Sequence, residues 1–391
     1  MRRLLLLVSS VVLVETAFYA VITPLLPELS ATYGLTKGQA GVLAGASPAG
    51  TFVGALPGGW LAARIGVRST VLVGLAVMVL SSLAIAFAAS IAVLDGARFA
   101  QGVAGSACWA GGFGWLVRLA PAERRGELIG AAMAAAIGGA LLGPVLGAAA
   151  SALGARGVFC AVAGAGVALM AWAALTPAPP AAGRLRLVAL AHAIRHERRI
   201  GTGMWLMVMP GLLFGTIGVL VPLRLGALGA GAAAIAAAFL VAAGLEALVS
   251  PFAGRLSDRR GRLAPCLAGL AGAGVAMLLL PWPGSPWLLG ALVIVTAPMV
   301  GLLWAPGNAL LADGAEARGL EPGFAFSLTN LAWAAGQTIG AVGSARLAQA
   351  AGDALPYLLL AGVCAGTVAV LWRVRDLEPA RASRPPTPTA R

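Results

Sequence analysis

Gly139-Ala140-Leu141-Leu142-Gly143-Pro144-Val145-Leu146-Gly147 lies inside a continuous apolar run, 128–149. Three glycines at spacings of four and a proline make this a poor helix for water. Glycine loses more backbone entropy on ordering, and Pro144 has no N–H for the carbonyl of Ala140. In a bilayer the stretch survives where neighbouring helices satisfy what the proline frees. The glycines then form a smooth ridge on which another backbone can lie closely.

The rest of the chain agrees with a membrane setting. Its 391 residues are 60% hydrophobic and 10% charged, with a mean hydropathy of +0.91. That composition excludes an ordinary soluble domain and fits a polytopic helical membrane protein. The formal charge of +13 comes from basic residues scattered between apolar runs, which argues against nucleic acid as a partner. Cys108, Cys160, Cys266 and Cys364 are dispersed without CxxC spacing, so neither disulfides nor a metal are expected, and no cofactor is implied. His192 and His196 share one basic loop. Met1-Arg2-Arg3 and the run Leu4 to Val14 imitate a signal peptide, but no cleavage site follows and the run continues past Glu15 to Leu26. It reads as an uncleaved first span.

Runs of roughly 20 apolar residues, enough to cross a hydrocarbon core, occur twelve times. Spans 1 to 6 cover 4–26, 38–61, 70–89, 91–117, 128–149 and 157–176. Spans 7 to 12 cover 203–223, 229–252, 264–282, 286–312, 323–349 and 354–373. The predicted fold class is an all-α membrane protein with twelve transmembrane helices in two six-helix bundles. Domain 1–176 is the first bundle, 177–202 a polar linker with five arginines near it, 203–376 the second bundle, and 377–391 a disordered tail.

With twelve spans both termini share a side. That side holds 22 of the 27 basic residues. The opposite loops hold Lys37, Arg156, Arg224 and Arg346, and Arg98 lies inside span 4. The positive-inside rule therefore places both termini in the cytoplasm, with the chain in the plasma (inner) membrane. The halves also echo each other. Pro27 and Pro222, Gly59 and Gly254, Arg64 and Arg259, and Gly66 and Gly261 all stand 195 residues apart. Gly139-x-x-x-Gly143 is echoed at an offset of 197 by Gly336-x-x-x-Gly340 in span 11, without the proline. Two repeats around a linker can rock about a midplane site.

Several motifs now carry a resemblance. Gly254-Arg255-Leu256-Ser257-Asp258-Arg259-Arg260-Gly261-Arg262, between spans 8 and 9, resembles the G-x-L-x-D-R-x-G-R loop of the major facilitator superfamily. Gly59 to Arg68 keeps the glycines and Arg64 but has Ala63 where the acid belongs. Arg98-Phe99-Ala100-Gln101-Gly102 resembles that superfamily's R-x-x-Q-G motif. Gly139 to Gly147 resembles the G-x-x-x-G-P-x-x-G signature of its drug–proton antiporter branch. The resemblance implies a monomeric transporter with a cavity between spans 1, 4, 7 and 10, moving a small molecule and protons through the bilayer.

Charges within the membrane cost roughly 2.5–3.5 kcal/mol each on insertion scales, so each needs a reason. Arg98 cannot lose its proton, and Asp95 can face it at i+3 spacing. Gln101 extends that polar face by one turn. Glu15 sits roughly 16 Å beyond Leu4. Desolvation there favours its neutral form and Arg98 favours its anion, the balance a proton carrier requires. Glu246, placed nearer the cytoplasmic end of span 8, is either a solvated gate residue or a second coupling or cation-binding carboxylate. Phe18, Tyr19, Trp109, Trp205, Phe214, Trp304 and Asn308 are the expected cavity residues. Asn330, Trp333 and Gln337 join them from one face of span 11. Asp258 is expected to close an inner gate against the start of span 5 near Glu123, Arg124, Arg125 and Glu127. The glycine stretch of span 5 is expected to be a surface on which the halves slide.

An apolar, aromatic cavity with few hydrogen-bonding groups suits an amphipathic solute better than a sugar. One charge moving through 100 mV is worth about 2.3 kcal/mol, enough for a roughly fifty-fold gradient. The expected function is thus proton-coupled efflux of a small hydrophobic or amphipathic compound. Uptake on the same framework is the alternative. A membrane enzyme lacks the clustered acids, histidines or activated nucleophile it would need, and a transport-inactive sensor is a further alternative.

Overall fold

The computed structural model describes residues 1–121, 124–181, 196–318 and 323–375, and every regular element within them is helical. The first half runs α1 (Arg2–Ala20), α2 (Ile22–Tyr33), α3 (Lys37–Ile65), α4 (Val67–Ala86), α5 (Ile91–Leu119), α6 (Arg125–Leu153) and α7 (Ala155–Leu175). The second half runs α8 (Arg198–Ala227), α9 (Ala232–Arg260), α10 (Leu263–Leu279), α11 (Pro286–Gly301), α12 (Trp304–Ala317) and α13 (Gly323–Thr338). A π-helical turn (Ile339–Gly343), α14 (Ser344–Ala351) and α15 (Ala354–Arg375) complete it.

Among the described residues these helices stack into twelve rods. α1 with α2 forms span 1, α11 with α12 forms span 10, and α13, the π turn and α14 form span 11. Eight of the rods are long and apolar enough to cross a membrane by length and composition. The others fall short for local reasons. α10 is only 17 residues long, and α3 and α5 are diluted by glycine. Those glycines are what allow α3 and α5 to cross closely. Cβ atoms on Gly54 and Gly58 would stand 3.0 Å from Ser106, and Gly102 faces the Ser47 carbonyl.

Where a rod breaks, a proline or a glycine is the cause. Span 1 kinks at Val21, because Pro24 offers no N–H to the carbonyl of Ala20. Span 10 breaks at Leu302–Leu303, four residues ahead of Pro306. Pro27 and Pro222, at the expected ends of spans 1 and 7 (4–26 and 203–223), lie inside their helices. α2 continues to Tyr33, where Gly34 caps it in the left-handed conformation, and α8 continues to Ala227. The loop that follows Gly34 starts α3 with a capping box between Thr36 and Gln39.

The repeat seen in the sequence is visible in the backbone. Gly66 and Gly261 reverse the chain after spans 2 and 8 with φ of +91° and +90°. Gly154 and Gly352 do the same after spans 5 and 11 with +97° and +91°. Side chains rarely adopt this conformation, which accounts for glycine at matching places in both halves.

The ridge on α6 packs within its own half. Gly139, Gly143 and Gly147 lie against Leu13 to Ala17, Ala17 to Ala20, and Val21 to Pro24 respectively, with Pro144 carried inside the helix. Gly336 and Gly340 repeat this against Val208 and Leu212 of α8. The expectation that the α6 ridge forms the sliding surface between halves is therefore corrected. Between the halves the close glycines come from α3 and from Gly226 of α8, where a Cβ would stand 2.8 Å from Pro27. Gly41 and Gly45 press on Ala341, Val342 and Ala345, Gly38 N–H donates to Gln349 at 2.8 Å, and Lys37 pairs with Asp353. These contacts cluster at the end that carries Lys37. Deeper in the bundle, Leu56 of α3 packs on the cluster around Met207 and Leu328.

Candidate functional site

The polar groups of the interior collect around the kink in span 1. Arg98 on α5 is 1% exposed. Its guanidinium donates to Gln101 Oε1 at 2.5 Å, to the Tyr19 carbonyl at 3.3 Å and to the Phe18 carbonyl at 3.5 Å. The last two acceptors are carbonyls of α1 just before the break at Val21, so Arg98 ties α5 to the end of that helix. The expected ion pair with Asp95 is not formed. Among the described residues no carboxylate lies within ion-pair distance of Arg98, and Asp95 Oδ1 is buried without a hydrogen-bond partner. The nearby carbonyls reach the guanidinium more directly than an acid on its own helix.

Tyr19 links this cluster to the second half. Its ring lies 6.0 Å from the Arg98 guanidinium carbon and 5.6 Å from the ring of Trp333, edge to face. Its hydroxyl accepts a hydrogen bond from Gln337. Arg98 Nε, Gln101 Nε2 and Gln337 Oε1 are buried with no partner in the protein. Unpaired polar atoms of this kind are costly in a structural core, and at a solute pathway they are available for a ligand or water.

Glu15 stands one turn before Tyr19 on α1. Trp109 donates its indole N–H to Glu15 Oε2 at 2.7 Å. The floor is Gly105, where a Cβ would come within 2.9 Å of the carboxyl carbon. Glu246 has the same kind of setting in the other half. Trp304 donates to its Oε1 at 3.0 Å, and a Cβ on Gly301 would stand 2.7 Å from its Cγ. Glu246 lies fourteen residues from either end of α9, but the helix runs past the apolar segment through Arg255 to Arg260, so within the expected span 229–252 the residue stands six positions from the arginine-rich end.

The other expected cavity residues divide. Phe214 borders a cavity beside Glu246, and Asn308 joins α12 to α13 by accepting from Thr329 at 2.6 Å and donating to the Trp304 carbonyl at 2.9 Å. Asn330 is partly buried one turn before Trp333. Two residues are corrected. Phe18 is fully enclosed, edge to face with Phe159 of α7 at 5.9 Å, so it belongs to the packing of the first half. Trp205 is 43% exposed and donates to Thr367 of α15 at 3.2 Å, on the periphery. A cavity of about 370 Å³ at the Lys37 end, lined by Pro24, Glu28, Ser151 and Leu223, touches none of the interior polar groups.

At the arginine-rich end, the side chains of Asp258 and Arg259, and all of Glu123, lie outside the described residues. What is described there stays within a half. Arg124 pairs with Glu127 at 2.8 Å, and the guanidinium holds that carboxyl below its usual range. Arg262 pairs with Asp313 at 2.8 Å, a partner the sequence reading missed, and Arg318 pairs with Glu197 at 3.1 Å. Arg64 lies over the ring of Trp60 at 5.0 Å, and Gly59 and Gly254 sit in open space.

Two bundles of membrane-length helices related by an internal repeat, with buried polar groups held between them, define a multi-pass membrane protein built as a solute transporter. The chain belongs to the Major Facilitator Superfamily, whose family model matches residues 8–321. Solved structures of similar fold include a D-xylose–proton symporter, at 18% identity and TM-score 0.74, covering 95% of this chain and 97% of that one. A POT family transporter in complex with 5-aminolevulinic acid is similar at 13% identity and TM-score 0.76, covering 96% of each chain. A bacterial homolog of the human lysosomal transporter Spinster, inward-facing and unoccupied, is similar at 14% identity and TM-score 0.78, covering 96% and 98%. No curated protein matches the chain.

Proposed function

We propose that this chain is a proton-coupled secondary transporter that exports a small hydrophobic or amphipathic organic compound by alternating access. The observation that carries the coupling is the Glu15 carboxyl, held by Trp109 on a glycine floor and one turn from the Tyr19 carbonyl that Arg98 binds. A carboxyl in that position can hold a proton in one conformation and release it in another, because rocking of the halves changes its distance from Arg98 and from water. Glu15 takes the proton, Arg98 and Gln101 tune it, and Tyr19, Trp333 and Gln337 divide the path between the halves. Asp95 has no partner in this scheme.

The arginine-rich end and both termini face the cytoplasm of the plasma (inner) membrane, as the positive-inside rule requires. The protein works as a monomer, in two bundles joined by the linker near 177–202. Export is supported by the span 5 signature, whose glycines pack on α1. Gly139 and Gly143 let α6 lie directly on the turns of α1 that flank Glu15. The ridge thereby fixes the helix that carries the proton.

The test of direction uses everted membrane vesicles and a panel of fluorescent amphipathic dyes. Acidifying the vesicle interior should drive dye accumulation that collapses with a protonophore. Accumulation driven only in right-side-out vesicles by an inward proton gradient would establish uptake instead.

A further inference from the structure

Among the described residues, span 11 alone carries a π-helical turn, Ile339–Gly343, between α13 and α14. Such a turn holds one residue more than the α-helix it interrupts, and it is rare and frequent at functional sites. Ala341 stands 197 residues after Pro144, so both repeats interrupt the same turn. In span 5 the interruption is covalent, because a proline has no N–H to give. In span 11 the turn contains no proline, and packing alone holds it. α8 of the same half supplies part of that packing. A Cβ on Gly215 would stand 2.8 Å from the Ala341 nitrogen, Gly340 lies on the Leu212 carbonyl, and Thr216 donates to the Gly340 carbonyl at 3.3 Å. α3 of the other half supplies the rest. A Cβ on Gly41 would stand 2.7 Å from the Ala341 carbonyl oxygen, and one on Gly45 2.7 Å from Val342. Beyond the turn, α14 carries the seal at the Lys37 end, with Ala345 against Gly41 and Gln349 accepting from Gly38 N–H.

We propose that the π turn is a reversible hinge, present while α3 lies on span 11 and reverting to α-helix when α3 leaves. Reversion passes the extra residue to the corner at Gly352, where the chain already turns with φ of +91°. It also rotates α14 by about 100°, the angle of one α-helical residue. Ser344 then takes the place of Ala345, and Ala348 that of Gln349, so the acceptor for Gly38 is withdrawn. Ser344, Ala345 and Ala348 are all small and buried, so both registers offer a small residue to the glycines of α3. The seal at the Lys37 end is thereby a switch between two packings, not a continuous slide. The hinge rests on the alternating-access reading only in assuming that this end opens.

The test reads the rotation of α14 directly, by electron-spin distances in the full-length protein in lipid nanodiscs. Spin labels go on Leu347→Cys of α14 paired with Leu279→Cys of α10, and in a second sample with Leu359→Cys of α15. All three sites are exposed, and the half-buried Cys160 is replaced by alanine. Both labels of each pair lie in the second half, so rocking of the halves alone leaves the distances unchanged. Gly41→Leu wedges α3 off the turn and should shift at least one distance by roughly 5 Å, the scale of such a rotation at a helix's outer radius. Gly45→Leu does the same against Val342 and carries the test if Gly41→Leu does not fold. Deleting Val342 removes the extra residue while keeping the present face of α14 toward α3, so the wedge should then shift neither distance. Unchanged distances in a folded wedge variant overturn the proposal, as does an equal shift in the deletion variant. No transport is measured, so failure here leaves alternating access and Glu15 coupling standing. Loss of transport in a protein whose α14 rotates as expected would fault the transport reading alone.

Discussion

Trp109 and Trp304 stand 195 residues apart, at equivalent places in the two repeats, and each donates its indole N–H to a glutamate inside a spanning helix. The glutamates themselves are not equivalent. Glu15 comes from span 1 and Glu246 from span 8, so the repeat has kept the donor and changed the helix that supplies the acid. Each pair rests on a glycine one turn before the tryptophan, Gly105 and Gly301. The chain thus has two carboxyl sites with the same frame but different electrostatics, because Arg98 stands near only the first.

Removing the donor at the first site should weaken coupling. A hydrogen bond to a charged group contributes about 1.5–3 kcal/mol, so Trp109→Phe should lower proton-driven dye transport by about tenfold or more. Trp282→Phe, at a ring that is 66% exposed and bonds within its own turn, should leave transport unchanged in the same vesicles.

Arg98 acts through geometry as well as charge. Its guanidinium serves Gln101 and two carbonyls at once, and a lysine ammonium cannot reproduce that fork. Arg98→Lys should therefore reduce transport at least tenfold despite the retained charge. Full activity in this variant would show that only the charge matters.

The α6 ridge should tolerate no side chain. Gly143→Leu forces an isobutyl group into the α1 backbone at Ala17 and Ala20, and overpacking of this sort costs about 1–3 kcal/mol. A lower thermal midpoint and poor recovery of monodisperse protein are expected. Gly130→Leu, on the same helix with nothing near its Cβ position, should behave as wild type.

The seal at the Lys37 end must open during transport if access alternates. Lys37 and Asp353 touch across the halves, so Lys37→Cys with Asp353→Cys should be bridged by a bifunctional thiosulfonate reagent that spans the length of the lost lysine side chain, a span too long to assume for a direct disulfide. Cross-linked protein should stop transporting and recover on reduction. Undiminished transport by the cross-linked form would show that these halves do not part there.

Much of this was legible in the chain. Twelve apolar runs, the arginine bias and the 195-residue offset lead directly to two bundles, because span length and repeat spacing are properties of sequence alone. Rod breaks at Val21 and Leu302 were not foreseen, although Pro24 and Pro306 are the signals for them. The pairing of Glu15 with Trp109 was also missed, since it depends on which faces of span 1 and span 4 meet. A clue existed, because Gly105 precedes Trp109 by four residues and Gly301 precedes Trp304 by three, each making room for an acid. Asp95 misled for the opposite reason. Its spacing to Arg98 is right, but the kinked carbonyls of span 1 lie closer. The Gly50, Gly54 and Gly58 series, which has the same spacing as the span 5 ridge, was equally readable and marks the crossing of α3 and α5.

The central claim is that the Glu15 carboxyl carries the coupled proton. The direct measurement is the pH change on adding a dye identified as a substrate to lightly buffered proteoliposomes, comparing wild type with Glu15→Gln. Wild type should exchange protons for dye, and the variant should bind dye yet move no protons. Equal proton movement in both would contradict the account and place the coupling elsewhere.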